Sequence, residues 1–281
     1  MTALRTLLAC VLCAWLGCAS AQERVSFPSL DGAGNAPVVL IGYFFPAPSA
    51  ASPAPAVAMF HGCSGPYDRS GALGRRMREY VELFNGLGMH VLVVDSLTAR
   101  YEKELCTQRN GKRRVTQANR RLDALGAMAY LADRADVDAN RIGLIGWSNG
   151  GSTVLSATNL HHHDVAAAVV KPAFAIAFYP GCESDLKRGY SPSAPLLMLV
   201  GQLDDWTPSA PCVALAKSVT ETPPEITVYP GAWHGFDSDA PLRVRKDVPN
   251  GVNPGQGVHV GGNPAAWRDS RDRVVRFLAE H

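Results

Sequence analysis

The stretch "IGLIGWSNGGSTVL", residues 142–155, joins an apolar run to a small-residue segment through a glycine-flanked corner. Ser148 lies at this corner, between Gly146 and Gly150. A serine in this pattern, after a strand and before a helix, is typical of a nucleophile elbow, in which a tight turn exposes the serine hydroxyl. An ordinary turn that happens to contain serine is the alternative. The residues at the other strand ends decide between the two interpretations.

Apolar segments alternate with helical patterns on both sides of this corner. Strands are predicted at residues 24–30, 36–47, 57–60, 90–96, 141–147, 166–180, 194–201 and 225–230. Helices are predicted at residues 71–88, 115–137, 149–160, 210–220 and 263–281. This alternation indicates an α/β fold with a mostly parallel central sheet and helices on both faces. Sites in such sheets lie beyond the carboxyl ends of the strands, so the residues that follow each strand are the candidates.

The composition is that of an ordinary globular protein. Of the 281 residues, 47% are hydrophobic and 19% are charged, and the net charge is +2. Such a chain can bury one large core, and its charge is too small to indicate a nucleic-acid partner. The sequence contains neither a P-loop nor a G-x-G-x-x-G dinucleotide fingerprint, so it indicates no cofactor.

Residues 1–21 have the pattern of a secretory signal peptide, with a basic start, an apolar stretch at 7–16 and a small-residue cleavage site that ends at Ala21. The apolar stretch is too short for a comfortable membrane span. A buried N-terminal helix, or lipidation of Cys18 in place of cleavage after Ala21, are the alternatives. We therefore expect a periplasmic or secreted protein whose residues 22–281 form one α/β domain.

An acid and a base for Ser148 are predicted at two further strand ends. The segment "GQLDDWTP" offers Asp204 or Asp205 after one strand, and "AWHGF" offers His234 after the next. A serine hydroxyl needs such a base to become a nucleophile, and the order serine, acid, histidine is that of α/β-hydrolases. Alone, each acidic residue could be a turn residue and the histidine a surface residue. Together and in this order, they favour a catalytic triad.

Two backbone amides are the candidates for an oxyanion hole. The first belongs to Asn149, directly after the predicted nucleophile, and the second to Cys63 in the strand-end loop "HGCSG", residues 61–65. The glycines of this loop allow the backbone to turn so that the Cys63 amide faces the site. A plain glycine turn is the alternative.

These motifs resemble the dienelactone hydrolase family of α/β-hydrolases. The resemblance extends from about Val38 to the C-terminal helix and rests on "HGCSG", "GWSNGG", "YPGC", "GQLDDWTP" and "AWHGF". It implies hydrolysis of an ester or lactone without a cofactor. The family pattern places the acid four residues before a proline, here Pro208, and so selects Asp204 over Asp205.

The sequence departs from the namesake enzymes of that family at two positions. Those enzymes have a cysteine nucleophile and a glutamate in the early loop, where this chain has Ser148 and Gly62. Both departures fit an oxygen nucleophile, and they argue against dienelactone itself as the substrate.

Four cysteines remain after the predicted cleavage: Cys63, Cys106, Cys182 and Cys212. An even number in an exported chain indicates two disulfides, and spacing alone allows three pairings. Adjacent strand-end loops lie on the same edge of a parallel sheet, which favours Cys63–Cys106 and Cys182–Cys212. Four free thiols are the alternative.

Three tryptophans flank the predicted site in sequence: Trp147, Trp206 and Trp233. They are candidates for an aromatic substrate pocket, and core packing is an equally good interpretation. The weakly periodic segment 238–263 is a candidate border of the pocket. Within it, Arg243 and Arg245 could meet an acidic substrate, although solvent-facing charge is the simpler interpretation.

The histidine run 161–163 does not predict a metal site, because three adjacent side chains cannot all face one ion. The sequence as a whole predicts a serine hydrolase that cleaves a small-molecule ester or lactone through an acyl-enzyme. A peptidase related to the prolyl oligopeptidases and a non-catalytic binding protein with the same fold are the alternatives. The sequence gives no indication of the oligomeric state.

Overall fold

The computed structural model describes residues 22–32, 37–48 and 50–281. The predicted signal peptide and Cys18 therefore lie outside the described residues. Within the part that is described, no helix combines the length and the apolar character that a membrane crossing requires.

The sheet is built from the strands β1 (Glu23–Pro28), β2 (Val39–Phe45), β3 (Ala54–Phe60), β4 (His90–Asp95), β5 (Val137–Trp147), β6 (Phe174–Phe178), β7 (Leu196–Gly201) and β8 (Glu225–Tyr229). Their order across the sheet is β1-β2-β4-β3-β5-β6-β7-β8. The six strands β4, β3, β5, β6, β7 and β8 are parallel to one another, whereas β2 is antiparallel to both β1 and β4. The predicted mostly parallel sheet is thus confirmed.

The helices are α1 (Arg75–Gly86), α2 (Gln117–Ala132), α3 (Asn149–Thr158), α4 (His163–Ala167), α5 (Glu183–Arg188), α6 (Ser209–Ser218) and α7 (Pro264–Glu280). Two hydrophobic clusters separate them into two layers. One cluster joins α2, α3 and α6 to one face of the sheet, and the other joins α1 and α7 to the opposite face. Successive residues of β3 divide between the two clusters, because side chains of a strand alternate in direction. Helices therefore cover both faces, as predicted.

Two segments differ from the sequence prediction. The apolar run 166–180 is only partly a strand: α4 ends at Ala167, and β6 begins at Phe174. Lys171 lies between them and donates to backbone carbonyls near the end of α4, which interrupts the run. The segment 238–263 is not wholly irregular, since the short strands β9 (Arg243–Arg245) and β10 (Val258–Val260) pair antiparallel within it.

Candidate active site

Ser148 occupies a strained corner between β5 and α3. Its φ of 55° and ψ of −117° lie in a backbone region that residues other than glycine rarely adopt. Its amide donates to the Phe178 carbonyl of β6 at 2.9 Å, and its carbonyl accepts from the Ser152 amide at 2.9 Å. The corner is thus held from the sheet on one side and from the first turn of α3 on the other.

The glycines around Ser148 are required by close approach of the backbone. A Cβ at Gly146 would lie 2.2 Å from the carbonyl oxygen of Gly150, and one at Gly150 would lie 2.0 Å from that of Phe60. Neither position can accept a side chain without a shift of the backbone. The packing that the motif predicted between strand and helix is therefore present.

The three residues of the predicted triad form one hydrogen-bonded chain. Ser148 Oγ lies 2.9 Å from His234 Nε2, and His234 Nδ1 lies 2.8 Å from Asp204 Oδ2. Asp204 and His234 are each only 4% exposed, and Ser148 is 9% exposed. Because little water competes in this site, these contacts are electrostatically stronger than they would be at the surface.

Asp204 is fixed by its own loop. Its Oδ1 accepts from the amides of Trp206 at 2.9 Å and Thr207 at 2.8 Å, which leaves Oδ2 for His234. The Thr207 hydroxyl donates to the Tyr179 carbonyl at 2.9 Å and lies 3.1 Å from Asp204 Oδ2. These contacts orient the carboxylate before any substrate binds.

Asp205 has a different partner, although it is the next residue. Its Oδ1 accepts from the His259 amide at 2.8 Å, and its Oδ2 lies 2.7 Å from His259 Nδ1. The Asp205 carbonyl also accepts from the Val252 amide at 2.8 Å. Asp205 therefore holds the segment that contains β9 and β10, whereas Asp204 faces His234.

The loop at residues 61–65 lies directly beside Ser148. A Cβ at Gly62 would be 3.7 Å from the Ser148 Cβ, so the loop passes the serine at contact distance. His61 Nδ1 lies 2.6 Å from the Gly62 carbonyl. A trans peptide directs its carbonyl and its N–H oppositely, so this contact also fixes the direction of the Cys63 amide.

The sequence profile of the dienelactone hydrolase family matches residues 41–281, which is most of the chain. The chain belongs to the dienelactone hydrolase family. No curated protein sequence shows significant similarity to it.

Several solved structures have a similar fold. A protein assigned as a dienelactone hydrolase from Klebsiella pneumoniae has a TM-score of 0.67 at 15% identity, over 93% of this chain and 100% of that one. A dienelactone hydrolase-like promiscuous phosphotriesterase from metagenomic libraries has a TM-score of 0.65 at 17% identity, over 92% and 98%. Dipeptidyl peptidase 4 from Porphyromonas gingivalis has a TM-score of 0.61 at 15% identity, over 93% of this chain but only 36% of that one. At these identities, the likeness concerns the fold.

Two disulfides brace this family member near the site. Cys63 is bonded to Cys106 and Cys182 to Cys212, with Cα–Cα distances of 5.0 and 5.1 Å. The first bond ties the loop beside Ser148 to the segment that follows β4. Both pairings predicted from the strand-end positions are present.

Two cavities meet at Ser148. A cavity of about 390 Å³ is lined by Ser148, His234, Tyr179 and Trp206 among others. A cleft of about 770 Å³ begins on the α3 side of the serine and is lined largely by polar side chains, among them Gln117. Ser148 and Trp206 border both spaces, so a substrate that reaches the serine can extend in two directions.

The three tryptophans have different surroundings. Trp206 lies against His234, with ring centroids 4.7 Å apart, and lines both cavities. Trp147 borders the smaller cavity but is only 1% exposed and stacks on Phe178 in the core. Trp233 is not among the lining residues of either cavity and stacks instead on His259.

Arg243 and Arg245 both border the smaller cavity. Arg245 pairs with Asp247, and its guanidinium lies 5.5 Å from the Trp206 ring centroid. Arg243 is exposed. The arginines are thus at the border of the cavity, as the position of segment 238–263 predicted.

A buried network next to His234 is absent from the sequence prediction. The Tyr179 ring packs edge-on against His234 at 4.7 Å, and its hydroxyl donates to Asp237 at 2.7 Å. Arg76 donates to both oxygens of Asp237 at 2.8 and 2.9 Å. Burial raises the pKa of the Tyr179 hydroxyl well above its usual range, so it stays a hydrogen-bond donor. No motif in the sequence signals this contact, because Arg76 and Asp237 are far apart along the chain.

No metal site emerges near the serine among the residues that the structure describes. Within these ranges, one group of three potential ligands lies close together, Glu225, Glu280 and His281, and it is exposed. In the histidine run, His162 lies 3.7 Å from Asp185, and its pKa is lowered by burial and by Arg121.

Proposed function

We propose that this dienelactone hydrolase family member is an exported serine hydrolase that cleaves a carboxylic ester or lactone. The observation that carries the proposal is the hydrogen-bonded chain from Ser148 through His234 to Asp204. Both distances in this chain are those expected for hydrogen bonds from a nucleophile to its base and from the base to the group that orients it.

In the first half of the reaction, Ser148 Oγ attacks the carbonyl carbon while His234 Nε2 takes the hydroxyl proton. Asp204 stabilises the resulting imidazolium through Nδ1–H. The amides of Cys63 and Asn149 donate to the oxygen on which negative charge develops. When the tetrahedral species collapses, the bond to the leaving oxygen breaks, and His234 gives that oxygen its proton.

In the second half, water releases the acyl group. His234 Nε2 takes a proton from water, and the water oxygen attacks the carbonyl carbon of the acyl-enzyme. The second tetrahedral species expels Ser148 Oγ, which recovers its proton from His234. The products are a carboxylic acid and an alcohol, or a hydroxy acid when the substrate is a lactone.

The two cavities suggest how an ester is oriented. His234 must reach the leaving oxygen, and it lines the cavity of about 390 Å³ but not the cleft of about 770 Å³. We therefore assign the alcohol portion to the smaller cavity, beside Trp206, and the acyl portion to the polar cleft. A compact alcohol with a larger, polar acyl group fits this arrangement.

The residue at position 62 supports an oxygen nucleophile. The family resemblance places a glutamate of the cysteine-dependent enzymes at this position, where the present chain has Gly62. A Cβ there would approach the Ser148 Cβ to 3.7 Å, so a side chain at this point would border the nucleophile. With glycine, no side chain at position 62 competes with His234 for the Ser148 hydroxyl.

Export is the second part of the proposal. Two disulfides fit an oxidising compartment, and the signal-like pattern of residues 1–21 provides the route. The intact mass of the protein from its native compartment tests this. Cleavage after Ala21 gives a chain that begins at Gln22, whereas lipidation at Cys18 gives a heavier, membrane-bound chain.

Turnover of p-nitrophenyl esters by the wild type and by Ser148→Ala tests the reaction itself. We expect a burst of p-nitrophenol and covalent labelling by a fluorophosphonate in the wild type, with neither in the variant. Loss of a nucleophile lowers kcat by several orders of magnitude, about 10⁶-fold in a well-studied serine hydrolase. A wild type that neither turns over esters nor reacts with fluorophosphonate would indicate the binding protein. Cleavage of peptides in preference to esters would indicate the peptidase.

A further inference from the structure

Arg120 is a fully buried cation directly behind the predicted oxyanion hole. It lies on α2 and is 0% exposed. Its Nη1 donates to the Asn149 side-chain oxygen at 2.5 Å, and its Nη2 donates to the His61 carbonyl at 2.9 Å. One guanidinium thus joins the residue after the nucleophile to the first residue of the loop that contains Cys63.

This arginine has no direct carboxylate partner in the part of the chain that the structure describes. The nearby carboxylates are bonded elsewhere: Asp95 accepts from Tyr67, and Asp123 accepts from Ser29 and Arg100. The Arg120 Nε is buried without a hydrogen-bond partner among the described residues. A cation whose direct hydrogen-bond partners are neutral is unfavourable for stability when it is buried, and this makes Arg120 a candidate for a functional role.

The peptide groups that contain the two proposed oxyanion donors are both anchored at their carbonyls. The Gly62 carbonyl is held by His61, whose own carbonyl accepts from Arg120. The Ser148 carbonyl is held by the Ser152 amide, and the side chain of Asn149 is held by Arg120. In each peptide group the N–H lies opposite the anchored carbonyl, so these contacts also fix the directions of the Cys63 and Asn149 amides.

We propose that Arg120 is the positioning residue of the oxyanion hole. It holds the loop at residues 61–65 against Asn149, and so brings the two donor amides together. The inference rests on the proposed function, since it concerns the same transition state. Arg120 does not touch the substrate; it sets the distance between two amides that must meet one oxygen. Its buried positive charge also favours the negative charge that develops on that oxygen.

The protonation states agree with this role. Burial, together with the charge of Arg120, lowers the pKa of His61 to about 3, so His61 is neutral at pH 7. Neutral His61 with a proton on Nδ1 donates to the Gly62 carbonyl and accepts from the Ser96 amide at Nε2. Burial lowers the pKa of Arg120 to about 10, against the opposing effect of Asp123 and Asp95, so Arg120 keeps its charge.

Arg120→Met and Arg120→Lys test the proposal, with Arg134→Met as the matched control. Arg134 lies just beyond the end of α2, pairs with Asp136 and borders neither cavity. We expect kcat of Arg120→Met to fall about 10- to 100-fold with little change in KM, since removal of one direct oxyanion donor lowers kcat by about 10²–10³. Arg120→Lys keeps the charge and should retain more of kcat. Arg134→Met should lose stability and keep kcat.

A transition-state analogue and a double-mutant cycle distinguish this positioning role from a purely structural role of Arg120. Affinity for a boronic acid, which forms a tetrahedral adduct with Ser148, should fall in proportion to kcat/KM. Asn149→Ala removes one acceptor of Arg120 but keeps the backbone amide, so its effect should overlap with that of Arg120→Lys rather than add to it. Asn149→Ala and Arg120→Lys also provide the test if Arg120→Met does not fold.

Unchanged kcat in a folded Arg120→Met would overturn the proposal, as would equal losses of kcat in Arg134→Met or full additivity in the cycle. These outcomes are distinct from failure of the proposed function. In that case the wild type itself would show no ester turnover that depends on Ser148.

Discussion

The two sides of Ser148 are built in contrasting ways. On the early side, the loop at residues 61–65 buries His61 and Cys63, is linked by a disulfide to Cys106 and is tied to α2 by Arg120. On the late side, the segment 238–263, called the hairpin segment below, exposes Leu242 and Val244. The early side is therefore anchored by a covalent bond and a buried cation, whereas the late side presents apolar side chains to solvent.

The hairpin segment is held by polar contacts at several points, among them Asn250 with Gln108 and Asn110, and Asp239 with Arg75. Asp205 holds it through His259, and the Gly261 amide donates to the His234 carbonyl at 3.1 Å. Rigid scaffolds usually carry the fixed chemistry of a site, while loops on them contact the variable parts of ligands. We therefore expect substitutions on the early side to change mainly kcat, and substitutions in the hairpin segment to change mainly KM.

Apart from the loss of Ser148 itself, the largest effect should come from Asp204→Asn, which breaks the orientation of the base. The substitution preserves the shape of the loop but places an amide against His234 Nδ1, which favours the wrong tautomer. Loss of this charge lowers kcat by about 10⁴-fold in serine hydrolases. Steady-state kinetics on a p-nitrophenyl ester, with thermal unfolding as the control for folding, measures it.

The next largest effect should come from removal of the disulfide on the early side. Each disulfide closes a loop, with sequence separations of 43 for Cys63–Cys106 and 30 for Cys182–Cys212. Both double alanine variants should therefore lose about 4 kcal/mol of unfolding free energy in the chain-entropy model. Only the Cys63→Ala/Cys106→Ala variant should also lower kcat, since only that bond holds the loop at residues 61–65, which contains the proposed Cys63 oxyanion donor. Equal kcat values in the two variants would contradict the division between the two sides.

A smaller effect is expected from His61, which should make the free energy of unfolding decrease at acidic pH. Its pKa is about 3 when folded and takes the ordinary value of 6.5 when unfolded, so between these pH values only the unfolded chain binds the proton. Stability contributed by neutral His61 is thus complete above pH 6.5 and is lost as the pH falls towards 3. Between pH 7.5 and pH 5, the loss should be about 2 kcal/mol. Urea unfolding at both pH values should show a smaller difference in His61→Asn, whose amide replaces the Nδ1 donor without titrating.

Much of the candidate site follows from the sequence because of one rule of topology. Ser148, Asp204 and His234 each follow a strand of the same parallel sheet, so their strand order and chain order predict that they lie together. The structure places them within hydrogen-bonding distance. The disulfide pairs were predictable for the same reason, since adjacent strand-end loops share an edge.

The parts that could not be predicted depend on contacts between distant helix residues. The helical pattern of α2 places Arg120 among polar and apolar neighbours, but it does not reveal that this arginine is buried or that it reaches Asn149. The pairing of Arg76 with Asp237 is likewise invisible to periodicity. Trp233 was a pocket candidate because it precedes His234 in the sequence. Neighbours in the chain can nevertheless point in different directions, and Trp233 does not line either cavity.

The smallest effect, and the sharpest test of the late side, should come from Asp205→Asn. This change keeps a hydrogen-bond acceptor for the His259 amide but weakens the contact with His259 Nδ1, so the hairpin segment loses part of one attachment. A single hydrogen bond contributes about 0.5–1.5 kcal/mol, which corresponds to a two- to ten-fold rise in KM with kcat nearly unchanged. His259→Ala should give a similar rise, and the double variant should add little, because both changes release the same contact. Steady-state kinetics with a series of p-nitrophenyl esters of increasing acyl length measures KM and kcat separately. If Asp205→Asn lowers kcat more than Asp204→Asn does, the assignment of the two aspartates is reversed, and the hairpin segment belongs to the chemistry rather than to substrate binding.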